Sequence, residues 1–194
     1  MDAVLAVDIG ATKFAAALVD DQGEVITRHQ VRADRERDAD GLFEQVAELL
    51  GAVMAEAPER DVSIVGCGVG AAGPITANLE LISPINLTEW RGFPLRRRVA
   101  DTTGLMVAGD LDTKALALGE GWIGGAVGVR NFMSMVVSTG IGGGVVLDGR
   151  LLEGESANAG HIGHIIVVPG GRQCGCGAYG LSLIHISEPT RLRR

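Results

Sequence analysis

The chain has 194 residues, 46% of them hydrophobic and 21% charged, which is the composition of an ordinary globular protein with an ample core. Its formal net charge of −7 and pI near 5.1 argue against nucleic acid or an anionic membrane as partner. No apolar run approaches the roughly 18 residues of a membrane span, and no secretory signal precedes the first predicted strand. Three cysteines, two of them in a CxC, indicate thiols or metal ligands rather than a disulfide framework. We therefore expect a cytoplasmic protein.

Hydrophobic periodicity predicts the order βββαβ followed by αβ, which is typical of an α/β protein. Pro58 ends the first predicted helix, and a glycine-rich segment over residues 68–74 follows the fourth predicted strand. The predicted strands cover residues 3–9, 13–20, 24–31, 62–69, 105–108, 132–137 and 145–147, and the predicted helices cover residues 39–57, 94–101 and 112–122.

Two strand–turn–strand segments with small residues at the bend predict a pair of loops that grip one phosphate chain. Glycines let backbone N–H groups approach an anion closely, and hydroxyl groups add donors. Asp8 cannot bind phosphate directly, but it can hold the Mg²⁺ that bridges phosphates. Neither loop matches GxxxxGK[ST] or GxGxxG, and a single such hairpin is most often only a tight turn. The predicted ATP, phosphate and magnesium residues are Asp8, Gly10, Ala11, Thr12, Lys13, Thr139, Gly140, Ile141, Gly142, Gly143 and Gly144.

With both hairpins present, the chain resembles the actin/hexokinase superfamily and, within it, the ROK family of sugar kinases and sugar-responsive repressors. The resemblance covers residues 1–180. It implies an actin/hexokinase-like (RNase H-like) ATPase fold, with an N-terminal lobe over residues 1–111 and the start of a second lobe over residues 112–180. It also implies ATP and Mg²⁺ as cofactors, a hexose as substrate, and a homodimer in the full-length protein.

Asp110 is the candidate general base for phosphoryl transfer, because a carboxylate must accept the proton of the sugar hydroxyl. From the residues alone, an N-cap of the following helix is the favoured role for this Asp. The resemblance to the family's Asn-Asp-Ala segment, followed by Ala117-Leu118-Gly119-Glu120, favours catalysis. Gly109 and Asp112 stand where the family commonly has Asn. These departures put the identity of the sugar in doubt rather than the reaction.

The resemblance also implies a set of sugar-binding residues. A sugar needs several donors and acceptors around one ring, and an unmatched buried polar group costs about 1–3 kcal/mol. Where most of the family has Glu-x-Gly-His, this chain has His161-Ile162-Gly163-His164, as in some N-acetylmannosamine kinases and some glucokinase-like proteins. His161 alternatively is a plain surface histidine. The expected sugar-binding residues are Gly73, Pro74, Asn86, Asp110, Asn158, His161 and His164.

Three residues predict an incomplete zinc site. The pair Cys174 and Cys176 lies ten residues after His164, and by itself a CxC is a weak metal signal. The family pattern implies Cys₃His, but Leu181 stands where the third Cys belongs. We therefore expect His164, Cys174 and Cys176 to hold zinc weakly. Cys67 is predicted to lie in the core.

Residues 181–194 do not continue the preceding pattern and resemble translated vector sequence, although a native disordered tail is the alternative. The resemblance thus suggests a C-terminally truncated member that is inactive alone. For the full-length protein we expect a glucokinase-like hexose kinase. N-acetylmannosamine kinase is the nearest alternative, and a non-catalytic sugar-binding or regulatory ROK protein is a further one. A repressor would need a DNA-binding segment ahead of the first strand, which begins here near Ala3.

Overall fold

The structure is a computed structural model that describes residues 1–138 and 140–187. Thr139, predicted to contact phosphate, and residues 188–194 of the predicted tail lie outside the described residues. None of the described helices is long and apolar enough to cross a bilayer. The described strands are β1 (Asp2–Ile9), β2 (Lys13–Asp20), β3 (Val25–Arg32), β4 (Ser63–Ala71), β5 (Val107–Leu111), β6 (Phe132–Val137), β7 (Ile141–Leu147) and β8 (Arg150–Leu151), and the described helices are α1 (Ala39–Ala55), α2 (Leu95–Thr103), α3 (Asp112–Trp122) and α4 (Ser182–Ile186).

The chain divides into two compact units, Met1–Asp112 and the part that begins at Thr113. The first unit contains a five-stranded sheet in the order β3-β2-β1-β4-β5. Strands β1, β2 and β3 pair antiparallel, as expected for strands joined by tight turns, while β4 and β5 add in parallel after helical crossovers. The carboxyl ends of β1, β4 and β5 therefore lie at one edge of the sheet.

Helix α1 covers the core of the first unit with one apolar face. The Asp38 side chain accepts the N–H of Gly41 at 2.8 Å and caps the helix N-terminus. Six side chains at helical spacing are buried, as their periodicity predicts: Leu42, Phe43, Val46, Leu49, Leu50 and Val53. Trp90 is fully buried and stacks on Phe14 and Phe93, with ring centroids 5.8 and 4.5 Å away. This stack anchors the long loop between β4 and α2 to the core.

The second unit contains a three-stranded antiparallel sheet in the order β6-β7-β8. Residues 141–144, predicted as part of a bend, lie instead inside strand β7. A Cβ at Gly142 would come within 2.6 Å of Thr113 Cγ2, and one at Gly144 within 2.5 Å of Ala117 Cβ. These glycines therefore let β7 pack directly against α3. Close packing thus explains a glycine run that, in the sequence, is typical of a turn.

Candidate functional site

Two aspartates of the first unit lie in one row across the sheet. The strand register pairs Asp8 of β1 with Gly70 of β4, and Gly70 with Asp110 of β5. Two strand spacings separate the aspartates, which is roughly 10 Å between their backbones. Both residues stand near the carboxyl ends of their strands, the edge where parallel sheets place their ligands.

Asp8 carries a carboxylate that lies near two positive side chains. The residue is exposed, yet the surrounding sheet desolvates its carboxylate enough to raise the pKa, an effect that the charges of Lys13 and Arg28 partly offset. The carboxylate is therefore reachable from solvent. A bound cation would lower this pKa again and would favour the ionised form.

The first predicted phosphate loop is a tight turn between β1 and β2. The N–H of Gly10 donates to the carbonyl of Lys13 at 3.1 Å, so this N–H closes the turn rather than facing an anion. Thr12 and Lys13 are exposed at the bend and present a hydroxyl and an ammonium. The phosphate role of the loop stays a prediction that depends on these side chains and on Ala11.

Asp110 lies inside β5, and helix α3 begins two residues later at Asp112. Asp110 is half-buried, and its Oδ1 accepts the N–H of Leu111 at 2.7 Å. The carboxylate thus contacts the backbone at the end of β5, two residues before the first residue of α3. The arrangement orients one carboxylate oxygen, as a general base requires.

The predicted sugar residues of the first unit lie in the loop between β4 and α2. Gly73 and Pro74 are joined by a cis peptide bond directly after β4. Asn86 is exposed, and its carbonyl accepts a guanidinium N–H of Arg35 at 2.6 Å. Arg35 also pairs with Glu89 at 3.1 Å, so the short segment around Asn86 is tied to the chain before α1.

Next to Asp110, Gly109 is covered by a residue that sequence reasoning did not identify. The Oδ1 atom of Asn78 accepts the N–H of Gly109 at 3.2 Å. Asn78 and Leu79 both adopt left-handed backbone, with φ of 51° and 54°, and Leu79 is fully buried. An amide thus stands beside Gly109, where the family commonly has one on residue 109 itself. The left-handed backbone of Leu79 cannot be predicted from the sequence, because the packing of the buried side chain imposes it.

The second unit brings together the predicted residues of the loop after β8. The Nδ1 atom of His161 lies 2.7 Å from the carbonyl of Asn158. The rings of His161 and His164 meet edge to face, with centroids 6.0 Å apart. Both histidines are half-buried, which gives them a fixed orientation that a plain surface histidine would lack.

The three predicted zinc ligands converge within the second unit. One ligand atom each from His164, Cys174 and Cys176 lies within 4.8 Å of the others. Among the described residues nothing hydrogen-bonds the buried Nδ1 atom of His164. Burial, aided by the charge of His161, lowers the pKa of His164 and so favours the neutral imidazole that binds metal. Two thiols and an imidazole fit Zn²⁺ and supply three of its four ligands. Leu181, at the predicted position of the third Cys, is buried.

The remaining cysteine, Cys67, is buried and does not belong to this metal-binding group. Cys67 lies in β4 and is buried, as predicted, and desolvation raises its pKa to about 12.

The predicted site residues form two groups, one in each unit. The first holds Asp8, Gly10, Ala11, Thr12, Lys13, Gly73, Pro74, Asn86 and Asp110, and the second holds Gly140, Ile141, Gly142, Gly143, Gly144, Asn158, His161, His164, Cys174 and Cys176.

Known proteins resemble the chain over most of its length. An N-acetylmannosamine kinase of Citrobacter koseri is 40% identical over 176 residues, which is 91% of this chain and 58% of that kinase. A ROK family glucokinase of Streptomyces griseus, solved with glucose and AMPPNP, matches with a TM-score of 0.83 and 30% identity over 98% of this chain and 59% of that one. A ROK family transcriptional regulator, a homolog of the E. coli MLC protein, matches with a TM-score of 0.86 and 25% identity over 99% of this chain and 48% of that one.

The chain therefore spans between about half and three fifths of these relatives. The structural matches confirm the predicted α/β class and its actin/hexokinase-like ATPase fold. The pattern that defines the ROK family matches residues 4–187. This chain belongs to the ROK family.

Proposed function

We propose that the chain is the sugar-binding part of an ATP-dependent hexose kinase, glucokinase-like, with N-acetylmannosamine as the alternative substrate. The observation that carries the proposal is the row of Asp8, Gly70 and Asp110 across three adjacent strands. It offers one carboxylate for a cation and a second carboxylate for a proton, on backbones that lie roughly 10 Å apart. The kinases among the relatives support this reading, since both act on hexose-type sugars by name.

In this mechanism ATP with Mg²⁺ supplies the phosphoryl group when bound. Asp8 would hold the cation, and Lys13 and Thr12 at the exposed bend would contact phosphate oxygens. Asp110 accepts the proton of the attacking sugar hydroxyl. The hydroxyl oxygen bonds to the γ-phosphorus, and ADP leaves with the electrons of the broken P–O bond. Leu111 donates its N–H to Asp110 Oδ1, which orients the carboxylate at the end of β5.

Within the second unit, Asn158, His161 and His164 of the loop after β8 are the residues that would contact a hexose. Zinc on His164, Cys174 and Cys176 would cross-link this loop to the segment that follows it. A cross-link of this kind removes conformational freedom and keeps a sugar-contacting histidine in place. Because three protein ligands converge among residues 1–138 and 140–187, we propose that the metal exchanges readily and that its role here is structural.

The test is sugar phosphorylation by the chain joined to the C-terminal part of the Citrobacter koseri kinase, with the 194-residue chain alone alongside. Glucose and N-acetylmannosamine are compared by ADP release. Asp110→Asn should abolish turnover while the dissociation constant for the sugar changes less than about threefold, since a removed general base costs about 10²–10⁴-fold in rate. The chain alone should be inactive.

The matched control is Asp112→Asn, which alters the neighbouring carboxylate at the first residue of α3. Turnover should survive this change. If only Asp112→Asn abolished turnover, the general base would be Asp112. Full turnover by Asp110→Asn would refute a general base at position 110.

A regulatory protein is the second candidate, favoured by the regulator with a TM-score of 0.86. If the protein is regulatory, the extended chain should bind sugar but release no ADP from ATP with any sugar. The acidic net charge of −7 argues against DNA as a direct partner of this part of the molecule. Sugar-dependent ADP release by the extended chain would exclude the regulatory reading.

A further inference from the structure

Helix α3 carries a fully buried lysine that the proposed mechanism does not use. Lys114 has 0% relative exposure and lies on the same face of α3 as Thr113 and Ala117, which are also buried. A buried ammonium group is costly unless anions and carbonyl oxygens compensate it. The hydrogen-bond acceptors of Lys114 therefore indicate its structural role.

The described acceptors of Lys114 come from one short segment of the loop after β8. Its Nζ donates to the Glu153 carboxylate, to the Glu153 carbonyl at 3.4 Å and to the Ala157 carbonyl at 3.1 Å. Glu153 is half exposed, with 56% of its side chain accessible, so the ion pair closes the buried site from the solvent side. Ala157 adopts a left-handed backbone with φ of 61°. Lys114 thus holds together a turn whose backbone is strained at a non-glycine residue.

The far end of the same loop is anchored on strand β7. The N–H of Gly143 donates to the Gly160 carbonyl at 2.8 Å. A Cβ on Gly160 would collide with the carbonyl of Gly143, and one on Gly163 with the carbonyl of Ile141. Asn158 and His161 lie between the lysine anchor and these contacts, and His164 follows directly.

We propose that Lys114 is a positioning residue that fixes the loop over residues 153–164 so that Asn158, His161 and His164 are preorganised for a hexose. This inference rests on the proposed function, because it assigns those three residues to the sugar. The Lys114 ammonium is enclosed, with 0% exposure, and acts through the loop. Fixing a loop before binding removes the entropy cost of ordering it on the ligand.

The experiment compares Lys114→Met and Glu153→Gln with the parent 194-residue chain. Glucose and N-acetylmannosamine binding is measured by calorimetry, and amide hydrogen exchange is followed over residues 153–164. We expect Lys114→Met to weaken sugar binding by about 10–100-fold, by analogy with residues that orient metal ligands from the outer shell, and to speed exchange over residues 153–161. Glu153→Gln should act in the same direction by a smaller factor, and it keeps a half-exposed side chain of nearly the same shape.

Val146→Ala is the matched control, because Val146 is buried in β7 of the same unit and its truncation destabilises without touching the loop's lysine. Its dissociation constant for sugar should stay within about twofold of the parent value, since an apolar truncation that removes no hydrogen bond of the loop adds independently. An equal loss of affinity in Val146→Ala, or unchanged affinity and exchange in both test variants, overturns the proposal. If the parent chain binds neither sugar, the proposed function fails, whereas unchanged exchange over 153–161 counts against Lys114 alone.

Discussion

The contact between Gly109 and Leu79 is the most direct test of how the region beside Asp110 is built. A Cβ at position 109 would lie 2.7 Å from Leu79 Cδ2, 2.8 Å from Leu79 Cβ and 3.1 Å from the Val69 carbonyl. Leu79 is fully buried, so it has little room to move away. Overpacking of this kind costs about 1–3 kcal/mol, and we expect Gly109→Ala to lower the free energy of unfolding by that amount.

The second arm of the test removes the obstructing side chain. Leu79→Gly takes away both close atoms and relieves the left-handed backbone at φ 54°, while losing a buried side chain at a cost of about 2–5 kcal/mol. In that background the 3.1 Å approach to the Val69 carbonyl remains, so Gly109→Ala should cost about 1 kcal/mol or less. The resulting coupling energy of about 1–2 kcal/mol is what the geometry requires.

Urea unfolding of the first unit is the measurement, followed by the fluorescence of the buried Trp90 in a Trp122→Phe background. Trp122 is 52% exposed and lies in the second unit, so its removal leaves Trp90 as the reporter. Gly68→Ala is the control, because a Cβ there meets nothing within 4 Å. A Gly109→Ala cost equal in both backgrounds, or no larger than that of Gly68→Ala, would refute the packing argument.

Three further outcomes follow from the described side chains. Hydrogen bonds from His29, Arg60 and Thr27 lower the pKa of Glu56 from 4.5 to about 2. Because the folded value lies below the unfolded one, the stabilisation is present above pH 4.5 and is lost as the pH falls towards 2. The difference in urea midpoint between the parent and Glu56→Gln should therefore shrink on acidification; a constant difference would contradict this. In a thiol titration, Cys174 and Cys176 should react in the folded chain and Cys67, with its pKa near 12, only after unfolding. Rapid reaction of a third thiol in the folded chain would count against burial of Cys67. Cobalt(II) should give thiolate absorption with the parent chain and lose most of it in Cys174→Ser, and equal absorption in the two would exclude Cys174 as a ligand.

Much of the local structure is predictable from residue patterns. Six apolar positions at helical spacing predict α1, which ends at Ala55, two residues before its predicted end at Ala57. Strands β1, β2 and β3 lie within a residue or two of their predicted bounds. The CxC and His164 predict a metal group whose ligand atoms indeed converge. These signals are local because each depends on the periodicity or chemistry of neighbouring residues.

The bounds of strand β5 could not be predicted from local residue patterns. The predicted strand covers residues 105–108, whereas the observed strand is Val107–Leu111. Parallel pairing with Cys67–Ala71 of β4 carries the strand through Gly109 and Asp110. A neighbouring strand supplies those hydrogen bonds, and polar or glycine residues at a strand end do not reveal it.

The amino-acid sequence by itself determined the order of helices and strands from β1 to β7, the two glycine-containing hairpins and the chemistry of the candidate residues. Only the tertiary structure decided that Gly142 and Gly144 are packing residues, that Lys114 is buried and that Asp8 and Asp110 share one row. Each of these features depends on contacts between residues far apart in the chain. Such contacts arise from strand register and from the volume of distant side chains, which leave no periodic trace along the sequence.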